Sequence, residues 1–252
     1  MTNLRRIAYA TLAAPLALGL AACSDSDGEI EAAEAYEAVA APDGQAWTDI
    51  VTVTEADGYQ LGNPDAPIKL IEYGSLTCGA CANFAQTGAD PLVEDYVATG
   101  VVSFELRNQV HNAFDLTLAR LARCSAPESF HPLAHQVWTN FNQVMGGVQE
   151  GQGALANVGS LPEDQRFIAI AEAAGFLDFF AARGVSRDQA RACLADSEAV
   201  MAIGERSTEQ SDELGIDSTP TFILNGRVLE ERSWEELEAV LQRAGARPAA
   251  ES

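Results

Sequence analysis

Alternating and β-branched apolar residues dominate the first folded part of the chain and predict short strands. The predicted strands are 51–54, 59–61, 68–73 and 101–110. A helical stretch over 78–97, interrupted near 88–91, separates the last two. A strand, a helix and a strand in this order form a βαβ unit, so we expect strands 68–73 and 101–110 to be parallel with a right-handed crossover.

The middle of the chain changes to helical periodicity. Helices are predicted at 115–124, 128–144, 163–173, 186–194 and 198–214, with a Gly-rich loop over 145–159. Two of them have the capping-box spacing at their start, Ser160 with Glu163 and Ser186 with Gln189. Strand character then returns as a hairpin around Asn225-Gly226, and a last helix over 234–244 begins after Ser233.

This order of elements predicts an α/β protein whose single sheet joins distant segments. We expect one domain from 47–110 plus 216–246, interrupted by an all-helical insertion over 111–215. An aromatic set in the insertion falls at helical spacing and is expected in its core: Trp138, Phe141, Phe176, Phe179 and Phe180.

The amino terminus has the order of an export signal, with Arg5 and Arg6 before a mostly apolar run over 7–20. The Leu-Ala-Ala-Cys sequence ending at Cys23 resembles the lipobox of bacterial lipoproteins. That resemblance implies removal of residues 1–22 and lipidation of Cys23, which would anchor the protein to a membrane. A soluble exported protein cleaved near Ala22 is the alternative.

Charge and composition shape the rest of the picture. The formal net charge is 15 − 37 = −22, and it becomes 13 − 37 = −24 without residues 1–22. Clustered cations for nucleic acid are missing, so nucleic acid is excluded as a partner. Residues 24–46 hold seven acids and no base, which predicts a disordered acidic tether over 23–46, or alternatively a single helix over 29–40.

Cys78 and Cys81 form a CxxC pair where strand 68–73 gives way to a helix. Residues three apart at a helix start lie close enough for a disulfide. The helix amino terminus favours an anion, so the Cys78 thiol should ionise readily while Cys81 is buried. Half a zinc site and a structural bridge are the alternatives, but no second ligand pair exists to complete a zinc site.

The segment 65–74 leading into Cys78-Gly79-Ala80-Cys81, together with Ser218-Thr219-Pro220-Thr221-Phe222, resembles the DsbA-like thiol-disulfide oxidoreductases. The resemblance covers residues 60–245 and implies a thioredoxin fold interrupted by a helical domain. It also implies a cis bond before Pro220, facing the cysteines, with the Thr219 backbone binding an extended substrate. The alternative is a trans proline entering an edge strand.

Glu72 lies six residues before Cys78, and the resemblance implies that it lies beneath the pair and exchanges protons with Cys81. Burial would raise its pKa, whereas a solvated strand end is the alternative. The strongest oxidants of the family carry Pro-His where this chain has Gly79-Ala80. We therefore expect a weaker oxidant than those members.

Cys124 and Cys193 remain after Cys78 pairs with Cys81, and a structural disulfide between them is predicted, with free thiols or an electron relay as alternatives. His131 and His135 are spaced i, i+4 but lack a third metal ligand, so no metal is expected, and His111 is given no role.

The sequence therefore predicts an oxidoreductase of the bacterial cell envelope, lipid-anchored and monomeric, facing the periplasm or the outer surface of the cytoplasmic membrane. Its redox centre is the Cys78–Cys81 disulfide and no other cofactor is expected. Its substrates would be thiols of exported proteins, and a membrane redox partner would reoxidise the pair. A reductase or isomerase, or a client-binding module without turnover, are the alternatives.

Overall fold

The computed structural model describes residues 30 and 32–249. The predicted signal peptide over 1–22 and the predicted lipidation site Cys23 lie outside the described residues. Most of the predicted tether lies within them and is treated below.

Among the described residues, one mixed sheet of six strands forms the centre of the fold, in the order β1-β2-β4-β3-β5-β6. The strands are β1 Val51–Val53, β2 Tyr59–Leu61, β3 Ile68–Gly74, β4 Val102–Asn108, β5 Thr221–Leu224 and β6 Arg227–Val228. β3 pairs with β4 in parallel, as the βαβ pattern predicted, and with β5 antiparallel. The sheet therefore joins segments more than 100 residues apart, and β3 lies in its middle.

Within the part of the chain that the structure describes, ten α-helices surround this sheet. They are α1 Gly79–Thr87, α2 Ala89–Pro91, α3 Ala113–Ala122, α4 Phe130–Thr139, α5 Phe141–Val158, α6 Glu163–Ala173, α7 Phe176–Ala181, α8 Arg187–Ala195, α9 Ser197–Leu214 and α10 Trp234–Arg243. A π-helical turn, Leu92–Tyr96, and a 3-10 turn, Val97–Thr99, continue α2. Because α3 to α9 all lie between β4 and β5 in the sequence, the predicted thioredoxin fold with a helical insertion is confirmed.

The prediction of a Gly-rich loop over 145–159 is wrong, because residues 145–158 belong to α5 and Gly159 is its C-cap. Two of its glycines lie where α5 packs closely against the turn between α6 and α7. A Cβ at Gly147 would lie 2.2 Å from the carbonyl oxygen of Ala174, and one at Gly151 would lie 3.0 Å from Phe114. These glycines allow close helix packing, which a local sequence pattern does not reveal.

Helix starts agree with the sequence in two places and differ in one. Ser186 accepts a hydrogen bond from the Gln189 backbone N–H, and Ser233 forms a full capping box with Glu236. The predicted capping box at Ser160 is wrong, since α6 starts after Pro162 and the Ser160 hydroxyl donates to the carbonyl of Asn157 instead.

Residues 33–39, here called the strap, form neither a helix nor a strand and are joined to the domain by backbone hydrogen bonds. The backbone N–H groups of Ala33 and Tyr36 donate to the carbonyls of Arg243 and Gly245, and that of Val39 donates to Thr99. The prediction of a disordered tether is therefore wrong for these residues. The acidic, alanine-rich composition of the strap indicated disorder. The strap is nevertheless held by backbone hydrogen bonds, which do not depend on side-chain type, so composition could not reveal them.

Candidate active site

Cys78 lies at the point where the central strand leads into the first helix. β3 ends at Gly74, a three-residue loop follows, and Cys78 is the N-cap of α1. The backbone N–H of Cys81 points at the Cys78 sulfur at 3.5 Å. A sulfur at a helix N-cap faces unpaired N–H groups and the positive end of the helix dipole, which stabilise a thiolate.

A buried carboxylate that the sequence analysis missed holds the loop before Cys78. Asp115, in the first turn of α3, accepts hydrogen bonds from the Ser75 hydroxyl at 2.6 Å and the Leu76 N–H at 2.8 Å. The indole N–H of Trp138 donates to the Ser75 carbonyl at 2.9 Å. An acid within an otherwise apolar helix face was the available signal for Asp115. The insertion thus fixes the position of the catalytic loop.

The environment of Cys78 favours its thiolate. Its pKa is lowered to about 5, first by a hydrogen bond from the Cys81 side chain and then by the Thr219 side chain and the N–H groups of Cys81 and Ala80, against the effect of burial. Cys78 is also partly exposed, so a substrate sulfur can reach it. A low pKa and access to solvent are the properties of a reactive cysteine.

Cys81 has the opposite properties. Its side chain is fully buried, and its pKa is raised because it hydrogen-bonds to Cys78, is desolvated and lies near the Glu72 carboxylate. The two cysteines therefore differ in reactivity. Cys78 is a half-exposed thiol that ionises readily, and Cys81 is a buried thiol that stays protonated until its proton is removed.

Glu72 is the group placed to do this. It is 1% exposed on β3, paired in the sheet between Leu106 and Phe222. Its Oε1 atom has no hydrogen-bond partner among the described residues. Burial, and secondly the charge of Cys78, raise its pKa to about 8. The alternative of a solvated strand end is wrong for Glu72.

The Glu72 carboxyl lines a cavity of about 530 Å³ beneath the active site. Its walls next to Glu72 are apolar and include Phe84, Leu106 and Trp138. These walls explain the raised pKa, since they offer the charged carboxylate neither a hydrogen bond nor a counter-charge.

We predict that Glu72→Gln slows the step in which Cys81 loses its proton by roughly tenfold to a hundredfold, within the range for a general base. In the wild type this rate should rise as the pH approaches about 8, where the Glu72 carboxylate forms. The variant should lack that rise. Stopped-flow measurement of Cys78–Cys81 disulfide formation against pH checks both expectations.

The same variant has an independent readout in stability. A carboxyl whose pKa is higher in the folded than in the unfolded state lowers the free energy of unfolding as the pH rises between these two pKa values. Glu72→Gln removes this effect, so the variant should be more stable than the wild type at neutral pH. Glu105→Gln is the matched control, because Glu105 is a buried carboxylate on β4 that bonds to Arg107. Equal rates for Glu72→Gln and wild type across the pH range would refute the role.

The turn at Thr219 and Pro220 lies across from the cysteine pair, and its peptide bond is cis, as predicted. The Cys78 thiol donates to the Thr219 carbonyl at 3.3 Å. β5 starts at Thr221 and pairs with β3, which brings this turn to the end of the strand that leads to Cys78.

The two other cysteines among the described residues, Cys124 and Cys193, are joined as predicted in a disulfide of 1.99 Å. The bridge connects the residues after α3 with α8. Both sulfurs lie near the carbonyl of Arg120, far along α3 from the end that carries Asp115. The bridge is therefore part of the insertion and not of the catalytic pair.

The histidines occupy two different environments. His131 is partly buried, its Nε2 atom lies 2.8 Å from the Tyr59 carbonyl oxygen, and burial lowers its pKa to about 4. It is neutral at neutral pH. His111, which had no predicted role, lies at the active site, with its Nε2 atom 3.4 Å from the Thr219 hydroxyl.

The aromatic set divides in the same way. Trp138, Phe176, Phe179 and Phe180 are buried as expected. The prediction of Phe141 as a core residue is wrong, since it is only half-buried and lies beside Gly79 at the start of α1.

Among the described helices, none has both the length and the apolar character needed to cross a bilayer.

A thioredoxin fold with a half-exposed and a buried cysteine at the start of its first helix, opposite a cis-proline turn, defines the class of dithiol redox proteins of that fold. A model of the family described as "Thioredoxin" matches residues 53–243 of this chain. The chain belongs to the thioredoxin family, and its fold is that of the DsbA-like members with a helical insertion.

Solved structures and curated proteins agree with this assignment. A protein-disulfide isomerase from Novosphingobium aromaticivorans is 27% identical, with a TM-score of 0.68, over 73% of this chain and 95% of that one. The fold is shared with alpha-DsbA1 of Wolbachia pipientis, which is 20% identical with a TM-score of 0.60 over 76% and 92% of the two chains. A Rickettsia bellii protein with the provisional name protein-disulfide oxidoreductase is 25% identical over 73% of this chain.

This chain does not span the full length of its curated relatives. It covers 63% of the Rickettsia bellii protein and 60% of a similarly named protein from Rickettsia typhi, which is 22% identical over 73% of this chain.

Proposed function

We propose that this protein is a dithiol-disulfide oxidoreductase that acts on protein thiols and, in the cell, introduces disulfides into exported proteins. The observation that carries the proposal is the contrast within one helical turn between the half-exposed Cys78 with its low pKa and the buried, protonated Cys81. The related proteins named as disulfide oxidoreductases and isomerase support it.

The reaction starts from the oxidised Cys78–Cys81 pair. A substrate thiolate attacks the Cys78 sulfur, the bond to Cys81 breaks, and Cys81 leaves as a thiolate that receives a proton by way of Glu72. A second substrate thiolate then attacks the substrate sulfur of the mixed disulfide and releases Cys78 as a thiolate. Two electrons pass from the substrate dithiol to the pair, and the substrate leaves with a disulfide.

Substrate would bind on both sides of Cys78. On one side, the Thr219-Pro220 turn offers backbone groups to an extended polypeptide, as proposed from the sequence. On the other, a groove of about 510 Å³ runs from Gly79 along α1 to the start of α5. Its walls include the amides of Asn83 and Gln143 and the ring of Phe141, and none of its lining residues is ionisable.

The low pKa of Cys78 supports oxidation as the direction. A protein that stabilises the thiolate stabilises its own reduced form, which makes the disulfide a better oxidant. Gly79 and Ala80 contribute no side-chain donor to that thiolate, so the potential should lie below that of the strongest oxidants of the family. Lipidation at Cys23, an envelope location and a membrane partner that reoxidises the pair belong to the same proposal.

The test has two parts. The oxidised protein should form disulfides in a reduced, unfolded protein whose native state contains them, at a rate at least tenfold above that of the Cys78→Ser variant. Acid trapping of thiols in living cells should find Cys78 and Cys81 mostly oxidised. A mostly reduced pair in cells would contradict the oxidase and indicate a reductase or isomerase. Failure of disulfide exchange in vitro would contradict catalysis altogether and indicate a client-binding module.

A further inference from the structure

The cavity beneath the cysteine pair has the size and the walls of a small-molecule site. Its volume of about 530 Å³ falls within the range of roughly 300 to 1,000 Å³ that such sites occupy. Its walls include the buried side chains of Phe84, Phe104, Leu106 and Trp138. Exposed residues also line the cavity, so it opens to solvent. An apolar group that enters from solvent therefore loses its contact with water, which favours binding.

Glu72 supplies the polar group of the interior. It is the one buried carboxyl among the lining residues, and its Oε1 atom has no hydrogen-bond partner in the described part of the chain. A Cβ atom placed on Gly74 would lie 2.9 Å from that oxygen, 3.1 Å from Cδ1 of Leu106 and 3.3 Å from Cζ2 of Trp138. Apolar groups thus lie close around the oxygen. A buried carboxyl without a hydrogen bond is costly, and a ligand that supplies a donor removes that cost.

The charges on the rim select among the possible donors. Four exposed acids line the cavity, Asp49, Asp90, Glu94 and Glu128. No Lys or Arg is among the lining residues, and the lining residue His131 is neutral, because burial lowers its pKa to about 4. A cleft lined by charges of one sign concentrates ligands of the opposite sign. The rim therefore attracts cations and repels anions.

We propose that this cavity binds small hydrophobic amines, with the apolar ring or chain against the aromatic walls and a single ammonium group that donates to Glu72. A hydroxyl can also donate to Glu72, but it gains nothing from the four acids of the rim. An ammonium group is attracted by the rim and forms charge-assisted hydrogen bonds with a carboxylate. The inference does not rest on the proposed redox function, because it concerns binding alone.

The ion pair that this binding mode forms is buried, so its cost must be considered. A buried ion pair is favourable only where its attraction and hydrogen bonds offset the loss of hydration. Glu72 has already lost its hydration on folding, so only the ammonium group is desolvated on binding. Burial raises the pKa of Glu72 to about 8, whereas an alkylammonium such as that of lysine titrates at about 10.4. Both partners are therefore charged between these two values.

The test is a calorimetric titration of the full chain at about pH 8.5 with phenylbutylamine, phenylbutanol and phenylbutanoate. The three probes share a ring and a four-carbon chain and differ in the polar end. Glu72→Gln removes the charge of the interior carboxyl. Glu105→Gln is the matched control, because Glu105 is buried, pairs with Arg107 and is not among the lining residues. Ala89→Leu narrows the cavity at a half-buried lining position.

We expect the amine to bind the wild type at least about tenfold more tightly than the alcohol, and the carboxylate to bind more weakly than both. Glu72→Gln should weaken the amine about tenfold or more and leave the alcohol within about threefold. Glu105→Gln should leave both probes within about threefold of the wild type. Ala89→Leu should weaken the amine and the alcohol alike, because it takes space from the apolar part of the ligand.

The indole N–H signals of the three tryptophans locate the bound amine by nuclear magnetic resonance. The ring of Trp138 lines the cavity, whereas Trp47 and Trp234 are not among its lining residues. The amine should therefore shift the Trp138 signal more than the other two. This measurement and the comparison of the three probes both use the wild type, so they stand even where a variant does not fold.

Equal affinity of the wild type for the amine and the alcohol would overturn the assignment to amines, and no binding of the amine would overturn the site. A larger shift at Trp47 or Trp234 than at Trp138, or an unchanged affinity for the amine in Glu72→Gln, would also overturn it. None of these measurements requires turnover at Cys78 and Cys81. Failure of the redox function is thus distinguishable, because it would appear only as a lack of disulfide exchange in vitro.

Discussion

With Cys81→Ser, the protein is expected to accumulate covalently joined to substrate proteins through Cys78. The Cys78 thiolate attacks a substrate disulfide and forms the mixed disulfide, but no second thiol is then positioned to release it. Turnover should fall about 10³-fold or more, because a positioned thiol acts at an effective concentration that no free thiol matches. Serine is chosen because its hydroxyl can still donate to the Cys78 thiolate in place of the Cys81 thiol.

Non-reducing electrophoresis of the variant with a disulfide-containing protein measures this adduct, which reductant should release. Its rate of formation should rise as the pH increases through about 5, where the Cys78 thiolate forms, and then level off. Adding Cys78→Ser should abolish the adduct. An adduct that persists without Cys78, or normal turnover without Cys81, would contradict the division of roles.

Removal of the Cys124–Cys193 bridge is expected to cost roughly 4 kcal/mol of stability in the chain-entropy model, because the bridge closes a loop of 69 residues in the unfolded chain. For a protein of this size that corresponds to a melting temperature roughly 8 to 16 °C lower. Both cysteines are only half-buried, so serine at these positions adds little loss of packing.

Urea unfolding of Cys124→Ser, Cys193→Ser and the double variant measures this effect. The two single variants should each lose nearly as much as the double variant, since a bridge needs both sulfurs. The equilibrium of the Cys78–Cys81 pair with glutathione should stay within about twofold of the wild type, because the bridge lies at the far end of α3. Equal unfolding midpoints in all four proteins would show that the bridge does not stabilise the fold.

The sequence predicted those parts of the site that are encoded locally. Cys78 and Cys81 are neighbours on one helical turn, and the hairpin at Asn225-Gly226 is specified by two residues with positive φ. Glu72 could be found because an acid in a core strand conflicts with its apolar neighbours, and the cis bond before Pro220 followed from the family resemblance. In each case the informative residues lie close together in the chain.

The parts that were missed depend on contacts between distant segments. His111 meets Thr219 across 108 residues, and Asp115 meets Ser75 across 40. The close packing that makes α5 a helix joins Gly147 to Ala174. None of these pairs leaves a periodic pattern, and only Asp115, an acid on an apolar helix face, had a local signal in the sequence.

The strap determines where a mechanical force enters the domain. The Val39 N–H donates to the Thr99 carbonyl, just before β4. The first residue of β4 pairs with Ile68, at the start of β3. Cys78 follows the other end of β3. Seven residues of extended strand separate these ends by about 20 Å. A pull on the chain ahead of Ala33 would therefore load first the end of α10 and the end of β3 opposite Cys78.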